Sequence, residues 1–422
     1  MHIKSLPFFV VALCLSFTTG IAKATQIENI SLPSKLLDTD VLVSVSLPKG
    51  YDPKQTNYAT LYLMDGQWLM THALSIRTDL TERNGPKKAP DFIIIGIQTP
   101  NDKRWDWAMD DNDKWIGFLE RELIVEIEKR YSAKDVRLYA GWEMTGGAVI
   151  KTLAKSPHLF DGYIAASPTP LFGAYFPQLD TENTFLATSL AKIKNDRKFL
   201  FIGEAEDDYP AQYGIENLLS ILKANSTKSL QWHHVEYAGV THPESAYFTL
   251  NGAVRKYFEH WGPLEFTSIA QFKALGGISY VHEYYKSRAA KLGLETDQDA
   301  KHFTRRNLTL LAIGENNIEV FHQLMTTFAP DNFIEKSFVP HLNAYIQFYL
   351  QHRMLNEAEA IAHHLILKHP DRALAQHALG DVMYAKSEHK AALKHYKNAV
   401  QLAKQNNDWM LEVYKKDLLK VE

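Results

Sequence analysis

The sequence predicts an α/β domain followed by an all-helical region. Apolar strands alternate with amphipathic helices from residue 25 to about residue 262, a pattern that predicts a mostly parallel sheet with helices on both faces. Strand-like segments stop after Gly262-Pro263, and a 34-residue period typical of tetratricopeptide repeats follows near the end. We therefore expect an α/β domain over 25–262, a helical connector over 263–338 and a repeat-like region over 339–422.

The first 24 residues have the pattern of a cleavable secretory signal. A basic residue, Lys4, precedes an apolar run from Leu6 to Phe17, and Ala22-Lys23-Ala24 provides the small-residue exit. The run is too short to span a bilayer. It contains Cys14, the single cysteine of the chain, so cleavage would leave a protein without cysteine. We expect a secreted protein, located in the bacterial periplasm.

Composition excludes two classes of partner. The chain has a net charge of −3, and removal of Lys4 and Lys23 with the signal makes it −5. A nucleic-acid-binding protein needs a concentrated basic surface, which this balance argues against. No apolar stretch beyond the signal reaches membrane-spanning length, so we expect neither nucleic-acid binding nor a membrane span. A hydrophobic content of 45% is sufficient to fill the cores of two domains.

The elements of the α/β region follow from periodicity. The first strand alternates apolar and polar residues, whereas the next two are uniformly apolar and predict interior strands. The predicted strands are Val41–Val45, Thr60–Met64, Phe92–Ile97, Val136–Ala140, Phe199–Ile202 and Trp232–Tyr237. Apolar residues at helical spacing predict the helices Trp115–Tyr131, Gly146–Ala154 and Ile215–Ala224.

The C-terminal region shows two copies of the repeat pattern. Large, small and aromatic residues fall at the packing positions of a tetratricopeptide repeat in a frame that starts at Ala373. These positions are Leu379, Gly380, Ala392, Tyr396 and Ala399, and one period earlier Leu342, Tyr345, Ala358, Ala362 and Pro370. A generic pair of helical hairpins is the alternative. Because such repeats need neighbours to bury their faces, we expect this region to lean on the α/β domain or on another subunit.

The segment after the strand Val136–Ala140 carries the most informative feature of the chain. It reads Gly141-Trp142-Glu143-Met144-Thr145-Gly146-Gly147, where the context predicts the Gly-x-Ser-x-Gly turn of a serine hydrolase. Such a turn projects one side chain between a strand and a helix. Here Glu143 stands at the nucleophile position, and Thr145 stands where the second glycine is expected.

The region from Asn57 to about Gly262 resembles the esterase D and enterochelin-esterase-like branch of the α/β-hydrolase superfamily. The resemblance is carried by several segments in the order of that family. They are Leu61-Tyr62-Leu63-Met64-Asp65-Gly66-Gln67, Phe118–Ile124 with Arg130-Tyr131, Val136–Gly141, Pro157–Asp161 and Ala166-Ser167-Pro168. This resemblance implies an α/β-hydrolase fold for about half of the chain.

The same resemblance implies a set of site residues. Glu143 matches the nucleophile, Glu206 the triad acid and His242 the triad histidine, in the chain order of that superfamily. Backbone N–H groups near Gly66 and Gln67 and at Met144 match the oxyanion donors. Trp142, which lies inside the turn, is also expected to contact the substrate.

Glutamate cannot repeat the chemistry of serine. Attack by a carboxylate on an acyl carbon would give a high-energy anhydride, whereas attack on a saturated carbon would give an ester that activated water can cleave. Two carboxylates near His242 would also favour the imidazolium, which is a poor general base. We expect weak, altered or lost esterase activity with a binding role. The alternative is a hydrolase of small esters or related electrophiles that uses Glu143 with His242 and Glu206.

The remaining sequence features do not indicate a specific site. The loop around Trp105 and Trp107 either lines a pocket or is a plain surface turn. No paired cysteines, metal-binding histidine spacing or phosphate-binding loop occurs in the sequence, so we expect no cofactor and no metal. The expected partners are a small ester-like ligand and a protein held by the repeat-like region.

Overall fold

The fold is described here from a computed structural model, which covers residues 27–55, 58–83, 86–169, 180–193, 197–208, 212–292, 298–328 and 332–422. The predicted secretory signal at 1–24 lies outside the described residues. Within them, the predicted mostly parallel sheet with helices on both faces, followed by a helical region, is confirmed.

Within the described residues, eight strands form one sheet. Their order across the sheet is β1-β2-β4-β3-β5-β6-β7-β8; β1, β2 and β4 pair antiparallel, and every pair from β4 to β8 is parallel. The strands are β1 (Ile27–Ser34), β2 (Thr39–Ser46), β3 (Tyr58–Met64), β4 (Phe92–Ile97), β5 (Ala133–Trp142), β6 (Gly162–Ala166), β7 (Lys198–Ala205) and β8 (Leu230–Tyr237). The strand order reverses at β3, because β4 lies on one side of it and β5 on the other. The carboxyl ends of β3 and β5 therefore border a crevice of the kind in which such sheets bind ligands.

In the part of the α/β domain that the structure describes, eight helices accompany this sheet. They are α1 (Gly66–Arg77), α2 (Asn101–Trp105), α3 (Asn112–Phe118), α4 (Ile124–Arg130), α5 (Met144–Lys155), α6 (Asp180–Leu190), α7 (Gln212–Asn225) and α8 (His242–Tyr257), with single π-helical turns at Thr78–Glu82, Asp106–Asp110 and Leu119–Leu123. Helices α3, α4, α5 and α7 pack on one face of the sheet, and α1 and α8 pack on the other. The uniformly apolar strands β3 and β4 are buried along their whole length for this reason.

The structure adds elements that periodicity did not indicate. Strand β1 forms an antiparallel edge, and β6 and the helices α1 and α8 complete the domain. The segment around Trp105 and Trp107, predicted as a loop, is helical from Asn101 to Asp110. Its residues are mostly polar or charged, so sequence periodicity alone gave no helical signal there.

The C-terminal region is entirely helical within its described residues, with a core of its own. It contains α9 (Ile269–Ala274), α10 (Gly277–Leu292), α11 (Gln298–Gly314), α12 (Ile318–Phe328), α13 (Val339–Gln351), α14 (Leu355–Lys368), α15 (Ala373–Ala385), α16 (His389–Gln405) and α17 (Leu411–Leu418). One hydrophobic cluster runs from Phe266 to Tyr396. The division predicted near residue 338 is therefore not a break in the core. None of the described helices is both long enough and apolar enough to cross a membrane.

The predicted small-on-large packing occurs at Gly380 in α15. A Cβ atom there would lie 2.6 Å from the ring of Tyr396 in α16, so the two helices approach at a position that requires glycine. Ala358, Ala392 and Ala399 are likewise fully buried. This packing is compatible with tetratricopeptide repeats, and the assignment to that repeat stays a prediction.

A short junction joins the two regions. The guanidinium of Arg288 in α10 lies 4.4 Å from the ring centroid of Trp261 and donates to the carbonyl of Gly262 at 3.2 Å. Tyr284 donates its hydroxyl hydrogen to the carbonyl of His260. The helical region is thus attached to the end of the α/β domain that follows α8.

We predict that Gly66→Ala destabilises the α/β domain by about 3 kcal/mol. A Cβ atom at Gly66 would lie 2.4 Å from the backbone of Gly96, so α1 would have to move away from β4. Gly314→Ala is the matched control, because a Cβ atom at Gly314 meets nothing within 4 Å. Urea unfolding should show little change or a small gain for the control. An equal loss in both variants would contradict this account of the Gly66 contact.

Candidate active site

The predicted nucleophile position lies at the carboxyl end of β5, beside the end of β3. Since β3 and β5 are neighbours in the sheet, Asp65, which follows β3, and Glu143, which follows β5, come to the same edge. Helix α1 begins directly after Asp65 and helix α5 directly after Glu143. Both helix N-termini therefore point their unpaired N–H groups toward this edge of the sheet.

Glu143 adopts the strained backbone conformation of a nucleophile elbow. Its φ and ψ angles are 55° and −120°, a combination that a residue with a side chain rarely adopts. The Glu143 N–H donates to the carbonyl of Ala166, and its own carbonyl accepts from Gly147 and Thr169. Gly141 permits the turn, because a Cβ atom there would lie 2.4 Å from the carbonyl oxygen of Thr145. The turn is intact although its projecting side chain is a carboxylate.

Arg104 holds the carboxylate of Glu143. Its Nη1 donates to Glu143 Oε2 at 2.6 Å, while Nε and Nη2 both donate to Asp65, at 3.0 and 2.8 Å to Oδ2. Nη2 also donates to the carbonyl of Trp142 at 3.1 Å. The side chain of Asp65 is fully buried and that of Arg104 is 11% exposed, so these charge-assisted bonds are largely shielded from water. One guanidinium thus joins the residue after β3 to the elbow after β5.

Thr145 belongs to the same network. Its hydroxyl accepts from the N–H of Trp142 at 2.9 Å and lies 2.9 Å from both Asp65 Oδ2 and the Trp142 carbonyl. A glycine at this position would have no hydroxyl for these contacts. The unexpected residue at the second glycine position therefore helps to anchor Asp65, and through Asp65 it anchors Arg104.

The histidine of the site is paired with Asp208 and not with Glu206. His242 Nδ1 lies 2.5 Å from Asp208 Oδ1, and the Asp208 side chain is fully buried. Glu206 instead accepts from the backbone N–H of Gly239 at 2.8 Å. The placement of Glu206 beside His242 is wrong because β7 continues two residues past Gly203, so the chain turns later than the sequence suggested. Several acids follow this strand, and only the strand end selects Asp208.

Charges around His242 favour its protonated form. The hydrogen bond to Asp208 raises the pKa of His242 most strongly, and the charge of Glu143 raises it further, against the effects of burial and Arg104. For Asp208, burial raises the pKa, but the hydrogen bond and charge of His242, together with the backbone N–H of Ala205, outweigh it, so the carboxyl has a lower pKa than usual. Carboxylate and imidazolium therefore stabilise each other.

Ser167 is linked to the backbone of His242 through Ser245. Its side chain is fully buried, with the backbone at a positive φ of 39°, and its hydroxyl donates to the hydroxyl of Ser245 at 2.7 Å. Ser245 in turn donates to the carbonyl of His242. A serine in this position cannot reach a ligand, so Ser167 is a positioning residue. Pro243 is accommodated because the first turn of α8 requires no N–H from it.

The predicted oxyanion donors lie at the two converging helix N-termini. Gly66 and Gln67 open α1, and Met144 opens α5, so their backbone N–H groups belong to first helical turns that lack internal acceptors. The side chain of Gln67 is engaged elsewhere, because it exchanges hydrogen bonds with the backbone of Thr99 in the loop after β4. The predicted oxyanion donors at Gly66, Gln67 and Met144 are therefore backbone N–H groups and not side chains.

A cleft of about 420 Å³ opens above the elbow. Trp142 lies in its wall, where its indole N–H donates to the carbonyl of His242 and its ring centroid is 5.1 Å from that of His242. The lining residues are Trp68, Leu69, His72, Arg104, Trp142, Glu143, Pro243 and Ala246. All of them belong to the α/β domain. The sequence left open whether the segment around Trp105 lines a pocket. Arg104 is the residue of this segment that lines the cleft.

A possible metal-binding group lies elsewhere, in the helical region. In the part of the chain that the structure describes, ligand atoms of His377, Asp381 and Asp417 lie within 4.8 Å of one another. Each already has partners. His377 Nε2 contacts Asp417 at 2.9 Å, Tyr396 donates to Asp381, and Lys420 pairs with Asp417 at 2.6 Å. The arrangement is explained as a polar contact that ties α17 to α15.

We predict that Arg104→Met destabilises the protein by about 3–5 kcal/mol, because it leaves the buried carboxylate of Asp65 without its cation. Lys155→Met is the matched control, since it breaks an exposed pair with Asp113 and should cost less than about 1 kcal/mol. Denaturant unfolding of both variants measures the difference. Similar losses would show that the Arg104 network contributes no more than a surface ion pair.

We predict that His242 titrates above the usual value of about 6.5, and that Asp208→Asn lowers its midpoint more than Glu143→Gln does. Because the folded-state pKa is raised, the pair stabilises the fold fully below the unfolded-state pKa and loses this contribution as the pH rises through the folded-state value. NMR titration of the ring protons measures each midpoint. Glu206→Gln should leave the midpoint unchanged, and a shift there would contradict the assignment of Asp208.

Comparison with known proteins matches the α/β domain to one family. The model of the family described as "Putative esterase" matches residues 34–261. An IroE-like serine hydrolase from Shewanella oneidensis aligns over 71% of this chain and 98% of its own, with 18% identity and a TM-score of 0.54. An uncharacterised protein from Capnocytophaga ochracea aligns over 94% of this chain and 99% of its own, with 14% identity and a TM-score of 0.54. No curated protein matches.

The two structures show a shared fold, and the second alignment extends through the C-terminal helices. The family match covers more than half of the chain and contains the elbow, Asp208 and His242. The predicted resemblance is thereby confirmed. This chain belongs to the esterase family of α/β hydrolases.

Proposed function

We propose that the α/β domain binds a small ester-like ligand in the cleft and that its serine-type ester hydrolysis is lost or strongly weakened. One observation carries this proposal. Glu143 occupies the elbow and is held by Arg104 at 2.6 Å, in a network that also contains buried Asp65. The other features expected of a hydrolase site remain, namely the strained turn, the helix N-termini and the pair of His242 and Asp208.

The contact with Arg104 opposes nucleophilic catalysis by Glu143. A guanidinium stabilises the carboxylate anion and occupies one of its oxygen atoms, so attack on an electrophile would have to weaken that ion pair. An anhydride formed with an acyl group would be a high-energy product. His242 adds a second obstacle, because Asp208 and Glu143 raise its pKa and so favour the imidazolium, which cannot accept the proton that a general base must remove.

A second function is favoured by the exposure of Glu143. The side chain is 33% exposed and lines the cleft, so its carboxylate can reach a bound molecule. Attack on a saturated carbon would form an ordinary ester while the bond from that carbon to its leaving group breaks, and the leaving group takes the electron pair. Water activated by neutral His242 could then cleave the ester. This carboxylate-nucleophile function would be abolished by Glu143→Gln, whereas the binding function requires no covalent step.

We also propose that the protein acts after export and that its helical region holds a protein partner. Export is supported by the signal pattern at 1–24. A partner surface is supported by large apolar side chains that are exposed in the helical region, namely Leu367, Trp409 and Leu419. The cleft is lined from the α/β domain, so partner binding would not have to occlude it.

We predict that the wild type does not hydrolyse a short-chain aryl ester above background and that Glu143→Ser gains activity. The serine hydroxyl would stand on an intact elbow near His242, with Asp208 and the backbone donors in place. Initial rates with purified protein measure this gain. In the Glu143→Ser background, His242→Ala should remove most of it, because general base catalysis contributes about 10²–10⁴-fold.

Glu143→Ala is the matched control for this gain, since it removes the same ion pair and supplies no hydroxyl. It should stay inert. If the wild type hydrolyses the ester and His242→Ala abolishes that activity, the proposal of lost catalysis is wrong and the site is a working hydrolase with a carboxylate at the elbow.

A further inference from the structure

The charge of the cleft differs from that of an ordinary serine hydrolase site. Glu143, Arg104 and His72 are its ionisable lining residues. Burial lowers the pKa of His72, which favours the neutral form of its ring. The charge of Arg104 is balanced by Asp65, which it contacts through two nitrogen atoms. The carboxylate of Glu143 therefore leaves this group of residues with one net negative charge.

One oxygen of that carboxylate remains available to a ligand. Arg104 Nη1 bonds to Oε2, and within the described residues no hydrogen bond is formed by Oε1. His242 is paired with the Asp208 carboxylate, and its raised pKa favours the imidazolium form, in which the two charges balance. A ligand that supplies a charged hydrogen-bond donor to Oε1 would complete the pairing, whereas a ligand carboxylate would be repelled.

The walls beside Glu143 are suited to a cation with an apolar body. The ring centroids of Trp68 and Trp142 are 5.9 Å apart with the ring planes at 84°, and Trp68 is 42% exposed. Indole faces attract cations, and the guanidinium of Arg104 already lies 5.1 Å from the Trp68 centroid and 5.8 Å from the Trp142 centroid, so the part of Trp68 that remains open to a ligand is its exposed side. Leu69, Pro243 and Ala246 supply apolar surface on the remaining sides. Charge and shape thus select for the same class of ligand.

We propose that this cleft selects ligands that carry a protonated amine on a small apolar or ester-bearing body, with the ammonium group bound by Oε1 of Glu143 beside the exposed ring of Trp68. This inference rests on the proposed binding function and specifies its ligand class. It also gives the elbow carboxylate a role of its own. The side chain that removes serine chemistry provides the recognition group.

The test uses three probes of similar size, namely benzylammonium, the neutral benzyl alcohol and the anionic benzoate. Binding to the full mature chain is followed by NMR through the eight tryptophan indole N–H signals, with Trp68 and Trp142 assigned from Trp68→Phe and Trp142→Phe. Benzylammonium should bind about tenfold more tightly than benzyl alcohol, the effect of a partly desolvated charge pair near an aromatic face. Benzoate should bind most weakly, and only the Trp68 and Trp142 signals should shift.

Glu143→Gln keeps the size of the side chain and should reduce the preference for the amine to less than about twofold. Asp113→Asn is the matched control, because it removes one negative charge beside Lys155, at the far end of α5, about 16 Å along that helix and beyond a Debye length of about 8 Å. This control should keep the tenfold preference. Equal binding of the three probes, tightest binding of benzoate, or no saturation by any of them overturns the inference.

The two proposals fail in different experiments. Ester hydrolysis by the wild type would overturn the proposed loss of catalysis and would leave a measured amine preference standing. An inert wild type without an amine preference would overturn only the ligand class.

Discussion

The site depends on one guanidinium. Arg104 bridges the buried carboxylate of Asp65 and the elbow carboxylate of Glu143, and so joins the ends of the two neighbouring strands β3 and β5. Burial of Asp65 requires a cation, and a cation in that position provides a partner for a carboxylate at the elbow. Thr145 completes the arrangement by bonding to Asp65. The two departures from the serine-hydrolase turn are therefore parts of one network, and each has a physical partner.

The backbone geometry of this elbow does not depend on the side chain that it projects. The strained φ of Glu143 is set by the close approach of Gly141 to α5 and by hydrogen bonds to β6 and Thr169, and these contacts do not depend on which side chain projects. The N-terminus of α5 favours a negative charge at this point, whether it is a transient oxyanion or a permanent carboxylate. A family fold can thus retain the backbone geometry of this turn while the side chain at its tip differs.

The helical region has a separate structural basis. Its hydrophobic core runs continuously from Phe266 to Tyr396, and it meets the α/β domain at a junction made by Arg288, Trp261 and Gly262. Since the cleft is lined by the α/β domain, it is separate from the exposed surface of the C-terminal helices. The alignment with the Capnocytophaga ochracea protein over 94% of this chain shows that the combination of the two regions is not confined to this protein.

The sequence by itself determined the strand and helix alternation, the change to helices after Gly262, the elbow with Glu143, and the histidine at position 242, because hydrophobic periodicity and short motifs are local properties. Only the tertiary structure decided that Asp208 is the acid paired with His242 and that Arg104 binds Glu143. Five residues, Glu204 to Asp208, include four acids, and the choice of Asp208 depends on where β7 ends beside β8. Arg104 lies 39 positions before Glu143, in a polar segment without a periodic signal. Its meeting with Asp65 and Glu143 follows from strand order in the sheet, which no local pattern encodes.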